Sequence, residues 1–250
     1  MISYDEPADV AAVIAARPRP VLLGLDVDGV LAPIVDHADD AVLLDGMADA
    51  VRDVARMARV HVAVVSGRSI DDLARFDFDD GLEVIGSHGM ESRGRPMSPL
   101  DEDERTLLAR LDAAADSAAS RADGAWVERK PASVVLHVRQ ADEAAGAEAL
   151  AMLADAADAA HGASSKAGSG VLEVFARHAD KGSALVELAE QLGARTTVFV
   201  GDDVTDEEAF AHLGADDVTI KVGDAPTIAR YRIADPDAVH ALLRSLAPHR

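Results

Sequence analysis

Residues 21–33 read Val-Leu-Leu-Gly-Leu-Asp-Val-Asp-Gly-Val-Leu-Ala-Pro, an apolar run that ends in two carboxylates and a glycine. The run at 21–25 predicts a buried strand, and because side chains alternate along a strand, Asp26 and Asp28 fall on the same side of the chain. Gly29 permits a turn that other residues disfavour. Two like charges held this close need a cation or an electrophilic target. The stretch therefore predicts a strand that ends in a reactive site; an ordinary turn with two solvated aspartates is the alternative.

The composition is that of a globular protein without disulfides. The chain has 250 residues, of which 49% are apolar, and it contains no cysteine. This length holds one large domain or a main domain with an insertion, and any metal must be bound by oxygen or imidazole ligands. No run approaches the roughly 18 to 20 apolar residues of a membrane span, and the first residues do not resemble a signal peptide. We therefore expect a cytoplasmic protein without membrane contact.

The chain is strongly acidic, with a formal net charge of −21. Nucleic-acid binding requires a basic surface, so we expect no nucleic-acid partner. The acidity otherwise bears on solubility, and a GC-rich genome or a salt-adapted surface would each account for it. Lysine is scarce among the 24 basic residues. A lysine beside a motif is therefore less easily explained as a surface residue.

Strands and helices alternate in the first and last parts of the chain. Apolar runs predict strands at 21–25, 61–65, 82–85, 196–200 and 217–221, with helices at 6–16, 44–58, 69–75, 180–192, 205–213 and from 236. This alternation predicts an α/β fold with a doubly wound parallel sheet, whose ligands gather at the carboxyl ends of the strands.

The stretch between residues 98 and 177 has a different pattern. It predicts helices at 101–121 and 142–161, strands at 125–129, 133–139 and 171–175, and a Gly/Ser loop at 162–170. Such an order is typical of an α+β unit. We therefore expect residues 98–177 to form an inserted α+β cap domain that determines substrate specificity, and residues 1–97 and 178–250 to form the catalytic core.

A second group of carboxylates, Asp202, Asp203 and Asp206, follows the predicted strand at 196–200. In a parallel sheet this group lies at the same edge as the first pair of aspartates. So many carboxylates without a partner would be strongly unfavourable, whereas oxygen-rich sites suit Mg²⁺. The cluster therefore predicts a metal site. For Asp206, an acidic helix start stabilised by the helix dipole is the alternative.

Two further residues suit the binding of a phosphoryl group. Ser66 directly follows one predicted strand and precedes a helix, where its hydroxyl and nearby N–H groups can hold anionic oxygens. Lys181 opens a predicted helix, where its charge opposes the helix dipole, so its position needs another explanation. Neutralising a phosphate and a nucleophilic carboxylate would supply one. A solvated lysine at a helix edge is the alternative.

Four motifs, in order along the chain, resemble those of the haloacid dehalogenase (HAD) superfamily of phosphatases. They are Asp-Val-Asp-Gly-Val-Leu at 26–31, Val-Ser-Gly-Arg at 65–68, Asp-Lys-Gly at 180–182 and Gly-Asp-Asp-Val-Thr-Asp-Glu-Glu at 201–208. Four further strings resemble the trehalose-6-phosphate phosphatase family: Gly-Ser-His-Gly-Met-Glu at 86–91, Glu-Arg-Lys at 128–130, Leu-His-Val-Arg at 136–139 and Val-Leu-Glu-Val at 171–174. Val30 stands where the family usually has threonine, and Ser87 where asparagine is commoner.

The resemblance implies a HAD-like core with a cap, and hydrolysis of trehalose 6-phosphate to trehalose and phosphate through an aspartyl-phosphate. Asp26 would be the nucleophile, and Asp28 would protonate the leaving sugar oxygen and then activate water. Ser66 and Lys181 would bind the transferring phosphoryl group. Four aspartates would hold Mg²⁺: Asp26, Asp28 through its backbone carbonyl, Asp202 and Asp206.

The resemblance also implies sugar contacts from Glu128, Lys130 and Glu173 in the cap. Arg139 is a further candidate there, because charged side chains make several hydrogen bonds to hydroxyls. A structural role in the cap sheet is the alternative for Arg139 and His137. The core adds five candidates for substrate binding: Gly67, Arg68, His88, Gly89 and Glu91. For His88, an ordinary loop histidine is the alternative.

Other functions are compatible with such motifs. A sugar phosphatase acting on sucrose phosphate or mannosyl-3-phosphoglycerate is the nearest, although Glu128, Lys130 and Glu173 favour trehalose. A phosphomutase would need a cap arrangement that the sequence does not reveal. A catalytically silent sugar-phosphate sensor is the alternative outside the enzymes, and the retained aspartates and lysine argue against it. We expect a monomer whose partner is a small-molecule sugar phosphate.

Overall fold

The computed structural model describes residues 3–35, 40–76, 78, 81–94, 99–168, 170–177 and 180–247. The chain divides into two compact units, one formed by residues 1–97 with 179–250 and the other by residues 98–178. That the second unit determines substrate specificity stays a prediction.

Eleven strands and eight α-helices are found in the described ranges. The strands are β1 (Val21–Leu25), β2 (Val60–Val65), β3 (Glu83–Gly86), β4 (Glu91–Ser92), β5 (Trp126–Arg129), β6 (Ser133–His137), β7 (Ser164–Gly168), β8 (Val171–Phe175), β9 (Thr196–Gly201), β10 (Val218–Val222) and β11 (Tyr231–Ile233). The helices are α1 (Pro7–Ala15), α2 (Met47–Ala55), α3 (Ile70–Leu73), α4 (Glu102–Ala119), α5 (Glu143–Asp158), α6 (Lys181–Leu192), α7 (Val204–His212) and α8 (Pro236–Leu246).

The first unit is built on a seven-stranded sheet of order β11-β10-β9-β1-β2-β3-β4. All of its pairs are parallel except the pair of β3 and β4. The central strand β1 pairs with β2 and β9, so that Leu25 lies opposite Val64 on one side and Val200 on the other. The carboxyl ends of the three central strands therefore meet at one edge, and the predicted parallel α/β fold is confirmed.

Apolar side chains cover both faces of this sheet. Val21, Leu23 and Leu25 belong to a buried cluster with residues of α1, α2 and α8, whereas Leu22 belongs to a second cluster with residues of α6 and α7. Gly24 faces the second cluster, and a Cβ there would lie 2.7 Å from Leu185 Cδ2. The alternation of β1 therefore places helices on both faces, as a doubly wound sheet requires.

The second unit contains a four-stranded antiparallel sheet of order β5-β6-β8-β7. Its core joins one face of this sheet to α4 and α5, through the buried residues Leu111, Leu136, Leu153 and Val174. Helix α4 begins with a capping box, in which Asp101 accepts from the Glu104 N–H and Glu104 accepts from the Asp101 N–H. The helices thus cover a single face, and the opposite face, called the polar face below, carries Glu128, Ser133, His137 and Glu173 among its alternate residues.

Three sequence predictions were wrong in detail. The predicted loop at 162–170 contains the edge strand β7. Its residues are small and polar and give no apolar pattern, and the strand forms because its backbone pairs with β8. The predicted helix at 69–75 is one short helix followed by a 3₁₀ turn at Ala74–Phe76. The predicted helix at 44–58 begins only at Met47, after Gly46 in the left-handed region with φ 78°. The short strands β4 and β11 were not predicted.

Within the described ranges, no helix combines the length and the apolar character that a membrane span requires.

Candidate active site

A buried lysine links two carboxylates at the edge of the parallel sheet. Asp26 directly follows β1, and Lys181 is the first residue of α6. Lys181 Nζ donates to Asp26 Oδ2 over 2.6 Å and to Asp206 Oδ1 over 2.8 Å, and the side chains are 1%, 6% and 0% exposed. The Val27 N–H donates to Asp26 Oδ1 over 2.7 Å. Lys181 therefore pairs with the predicted nucleophile, and the alternative of a solvated lysine is wrong.

Burial and charge act against each other in this group. Burial raises the pKa of Asp26 well above its usual value, and the Lys181 charge offsets part of the rise. Burial likewise raises the pKa of Asp206. For Lys181, burial alone would lower the pKa, but the Asp26 and Asp206 carboxylates outweigh it and hold the pKa above its usual value. The lysine therefore stays charged, which favours the anionic form of the carboxylates beside it.

Asp206 also stabilises the start of α7. Its Oδ2 accepts from the N–H groups of Asp202 and Asp203 over 2.7 and 3.0 Å, while Asp203 Oδ1 accepts from the Asp206 N–H over 3.0 Å. A Cβ on Gly201 would lie 2.3 Å from Asp206 Cγ, so only glycine leaves room for this carboxylate. Asp206 therefore belongs to the helix start, as the alternative interpretation expected, and also lies in the acidic cluster; its predicted part in metal binding stays a prediction.

Asp202 lies against the turn that follows β1. A Cβ on Gly29, whose φ is 73°, would lie 2.1 Å from Asp202 Oδ2. Burial first, and then the charges of Asp206 and Asp203, together raise the pKa of Asp202 to about 7. The backbone carbonyl of Asp202 accepts a hydrogen bond from Lys221 Nζ. This carboxylate is therefore close to the first pair of aspartates and incompletely neutralised by the protein.

The acidic cluster fits a hard divalent cation. Among the described residues, Asp26, Asp203 and Asp206 each offer a carboxylate oxygen within 4.8 Å of the others. This group includes Asp203, which was not predicted as a ligand, and does not include Asp28 or Asp202. Carboxylate oxygens are the ligands that Mg²⁺ takes in proteins, usually one or two of them together with water. The predicted ligand set of Asp26, Asp28, Asp202 and Asp206 stays a prediction.

Asp28 is held by an arginine from the loop that follows β2. Arg68 Nε donates to Asp28 Oδ2 and its NH2 donates to Asp28 Oδ1, both over 2.7 Å. The guanidinium also lies 5.5 Å from the centre of the Phe76 ring. A two-point bond of this kind sets the orientation of the carboxylate. Arg68 therefore holds the predicted acid–base residue in place, and its own predicted part in substrate binding stays a prediction.

The loop after β3 lies beside Ser66. The His88 N–H donates to the Ser66 carbonyl over 3.0 Å, and a Cβ on Gly67 would lie 2.5 Å from the His88 ring. The Arg68 N–H donates to Ser66 Oγ over 3.2 Å. His88 has a φ of 55°, a left-handed backbone that is uncommon outside glycine. Ser66, Gly67 and His88 therefore lie close together, and their predicted parts in phosphate and substrate binding stay predictions.

Glu91 and Gly89 have structural contacts in this loop. The two oxygens of Glu91 accept from the Ile70 N–H over 2.8 Å and from Ser87 Oγ over 3.0 Å. Gly89 has a φ of 106°, and a Cβ there would lie 2.8 Å from the Asp180 carbonyl oxygen. These contacts within the protein give both residues a structural role that requires no ligand. Their predicted part in substrate binding stays a prediction.

The sugar-binding candidates of the second unit share one face of its sheet. Lys130 Nζ donates to Glu173 Oε1 over 3.1 Å, and Ser133 Oγ donates to the same oxygen over 2.6 Å. Glu128 Oε2 lies 2.9 Å from His137 Nε2. The network contains acceptors and donors suited to hydroxyl groups. Ser133 was not among the sequence candidates.

Arg139 follows this sheet and lies next to the turn before β8. A Cβ on Gly170 would lie 2.7 Å from Arg139 Cγ. The arginine stem therefore packs against the turn, which agrees with the structural alternative. Its predicted contact with substrate stays a prediction.

Lys221 is a functional candidate that the sequence prediction missed. It is buried in β10, bonds to the Asp202 carbonyl and lies 3.8 Å from Glu207 Oε1. A signal was available, because this scarce residue type stands within the apolar run Val218–Val222. Its burial and its bond to the loop after β9 indicate that it positions Asp202.

Comparison with known proteins agrees with this arrangement. The family model described as Trehalose-phosphatase matches residues 24–237. A Mycobacterium tuberculosis protein described as an uncharacterized glycosyl hydrolase is 35% identical over 248 residues, covering 92% of this chain but 18% of the relative. The probable trehalose-phosphate phosphatase 9 of Oryza sativa subsp. japonica is 32% identical over 271 residues, covering 94% of this chain and 72% of the relative. The chain therefore spans less than a fifth of the first relative.

Solved structures share the fold. The Aspergillus fumigatus trehalose-6-phosphate phosphatase has a TM-score of 0.68 at 22% identity, covering 99% of both chains. A haloacid dehalogenase-like hydrolase from B. subtilis has a TM-score of 0.54 at 18% identity, covering 91% of this chain and 99% of that chain. The parallel sheet with carboxylates at its edge is thus the HAD fold. By its sequence, the chain belongs to the trehalose-phosphatase family.

Replacing Asp202 with asparagine should flatten the pH dependence of stability in metal-free buffer. Because the pKa of Asp202 is raised to about 7 in the folded protein, the folded state binds the extra proton at low pH and loses that stabilisation as the pH rises through about 7. The variant cannot bind this proton, so its free energy of unfolding should not show this decrease as the pH rises. Free energies of unfolding from urea titrations at about pH 5 and about pH 8 measure the difference.

The matched control is Asp216→Asn, which changes an exposed aspartate of the same unit. It removes the same charge and should keep the wild-type pH dependence. Equal slopes for the wild type and Asp202→Asn would show that Asp202 does not take up a proton in the folded state.

Proposed function

We propose that this protein hydrolyses trehalose 6-phosphate to trehalose and phosphate with the help of Mg²⁺, as part of trehalose biosynthesis. The observation that carries the proposal is the buried bond between Lys181 and Asp26 at the sheet edge, in a chain of the trehalose-phosphatase family. A charged lysine beside a carboxylate at the carboxyl end of a parallel strand suits attack on a phosphoryl group. A monomeric state and a cytoplasmic location are further parts of the proposal.

The first step transfers the phosphoryl group to the protein. Asp26 attacks phosphorus with one carboxylate oxygen, and the bond between phosphorus and the sugar oxygen breaks. Asp28 in its protonated form donates its proton to that oxygen, so trehalose leaves as an alcohol. Ser66 and Lys181 bind the non-bridging oxygens, whose charge needs fixed donors and cations.

The second step releases phosphate. Asp28, now a carboxylate, takes a proton from water as the water oxygen attacks the phosphorus of the aspartyl-phosphate. The bond between phosphorus and Asp26 breaks, and the Asp26 carboxylate is restored. The two-point bond from Arg68 supports this proposal, because it holds the Asp28 carboxylate in one orientation for proton transfer.

Mg²⁺ would be held by Asp26, by the Asp28 backbone carbonyl, and by carboxylates after β9. When bound, it would neutralise the negative charge of the phosphoryl oxygens. The fit of the site rests on carboxylates: Asp26, Asp203 and Asp206 approach each other, and Asp202 is incompletely neutralised by the lysines.

Sugar recognition is proposed for the polar face of the second unit. Lys130 donates a hydrogen bond to Glu173, and Glu128 bonds to His137. Each of these charged side chains can form further hydrogen bonds. A site that hydrogen-bonds hydroxyls discriminates strongly against substrates that lack them, because its own polar groups are then unpaired. This network supports a sugar phosphate as the substrate over a simple phosphate ester. It gives no reason to prefer sucrose phosphate or mannosyl-3-phosphoglycerate, the nearest alternative substrates, over trehalose 6-phosphate.

The purified protein with Mg²⁺ should release phosphate from trehalose 6-phosphate with a kcat/KM about a hundredfold above that for sucrose 6-phosphate or glucose 6-phosphate. Steady-state phosphate release on the three substrates measures this ratio, and chelation of the metal should abolish the activity. Equal kcat/KM values would end the trehalose assignment. No release from any of them would favour the sensor.

Asp26→Asn should lower kcat by at least about a thousandfold, because an amide cannot form the acyl phosphate. Circular dichroism should show a retained fold. In the wild type, acid quenching during turnover of labelled substrate should leave label on Asp26 that hydroxylamine removes. Appreciable activity in the variant, or label on another residue, would remove Asp26 as the nucleophile.

Lys130→Ala should raise the KM for trehalose 6-phosphate about tenfold or more through loss of charged hydrogen bonds. Hydrolysis of p-nitrophenyl phosphate, which has no sugar, should fall much less. The control Arg110→Ala removes an exposed cation of α4 and should affect neither substrate. An equal loss on both substrates would show that Lys130 does not contact the sugar.

A further inference from the structure

An aromatic pair lies on the polar face of the second unit's sheet, and no step described above uses it. Trp126 of β5 is directly opposite His137 of β6. Their rings stack with centroids 3.9 Å apart and planes 4° from parallel. Although the imidazole covers one side of the indole, Trp126 remains 48% exposed. The chain therefore presents a flat aromatic surface to solvent.

This surface is continuous with the proposed sugar-binding groups. Directly opposite residues of an antiparallel pair share a face, and so do residues two apart along a strand, so Trp126, Glu128 and His137 lie on the same face. Glu173 lies on that face as well, because it is opposite Val135 of β6. The His137 ring contacts both Trp126 and Glu128, since its Nε2 is 2.9 Å from Glu128 Oε2. One imidazole thus supports an aromatic surface and fixes a carboxylate beside it.

Such a combination suits a pyranose ring. A pyranose presents C–H groups on its flat faces and hydroxyl groups around its rim. The electron-rich face of an indole attracts polarised C–H groups, and a neighbouring carboxylate accepts from hydroxyls. Small-molecule sites commonly combine an aromatic surface with a few placed polar groups in this way.

We propose that the exposed face of Trp126, supported by His137, stacks on a pyranose ring of the substrate while Glu128 accepts hydrogen bonds from its hydroxyls. This inference rests on the proposed function, because it names the part of the sugar that the second unit recognises. Trp126 becomes a specificity-determining residue, and His137 a positioning residue that orients both the indole and Glu128.

The chain offers a direct probe, because Trp126 is its one tryptophan. Tryptophan emission of the wild-type protein should change saturably when trehalose is added. The half-saturation point should agree with the inhibition constant of trehalose measured against hydrolysis of its phosphate. Inorganic phosphate alone should leave the emission unchanged, because it has no ring to stack. Unchanged emission at inhibitory trehalose concentrations would overturn the proposal.

A second arm uses variants. Trp126→Ala should raise the KM for trehalose 6-phosphate about tenfold, and its kcat/KM for that substrate should fall by a similar factor relative to p-nitrophenyl phosphate. Trp126→Phe keeps an aromatic face and should recover most of the loss. The control Tyr4→Ala removes a ring that is 43% exposed in the first unit. It should change neither the KM for trehalose 6-phosphate nor the KM for p-nitrophenyl phosphate.

The outcomes separate the two proposals. A KM for Trp126→Ala within about twofold of the wild type would overturn the stacking role while leaving the phosphatase function intact. A wild type that does not hydrolyse trehalose 6-phosphate would overturn the function, and the trehalose titration would still test stacking because it requires no turnover. If Trp126→Ala fails to fold, the emission measurement on the wild type decides alone.

Discussion

The active-site edge of this protein depends on one buried ammonium group. Lys181 Nζ contacts Asp26 and Asp206 in a site almost closed to solvent. Removing charges from water costs several kcal/mol for each ion, and this cost is offset only when the ions pair with good geometry. Loss of one partner from such a buried group costs about 3–5 kcal/mol. The pairing therefore links the chemistry of the site to the stability of the surrounding sheet.

Space is the second constraint on the site. The carboxylate of Asp206 occupies the position where a Cβ of Gly201 would be, and the carboxylate of Asp202 does the same at Gly29. These contacts place two acidic side chains directly against backbone. The carboxylates have little freedom to turn away from each other, so their mutual repulsion is relieved by cations and by N–H groups of the α7 start. The same close packing accounts for the raised pKa of Asp202.

Much of this arrangement could be predicted from the sequence. Continuous apolar runs located the central strands, and the rule that parallel strands end at one edge brought Asp26, Ser66 and Asp202 together. Lys181 could be chosen because a cation at a helix start is unfavourable unless something else requires it. These inferences succeed because they rest on local pattern and on a strong topological rule.

The remainder depended on contacts that no local pattern encodes. The bond of Arg68 to Asp28 joins residues 40 positions apart, and the burial of Lys221 depends on the strands beside it. Strand β7 was missed because an edge strand needs pairing rather than apolar side chains. The use of Asp203 at the helix start and in the acidic group becomes clear only when its distances to Asp26 and Asp206 are known.

The order of the strands has a consequence for the synthesis of the chain. Strand β1 pairs with β9, which is made only after the whole of the second unit. Because a ribosome releases the N-terminal part first and units fold as they are completed, the antiparallel second unit, formed from one continuous stretch, can fold before the sheet around it is finished. Until Lys181 and β9 have been made, Asp26 therefore lacks its lysine partner and β1 lacks one of its neighbouring strands. The bond between Lys181 and Asp26 can therefore form only after the second unit has been made.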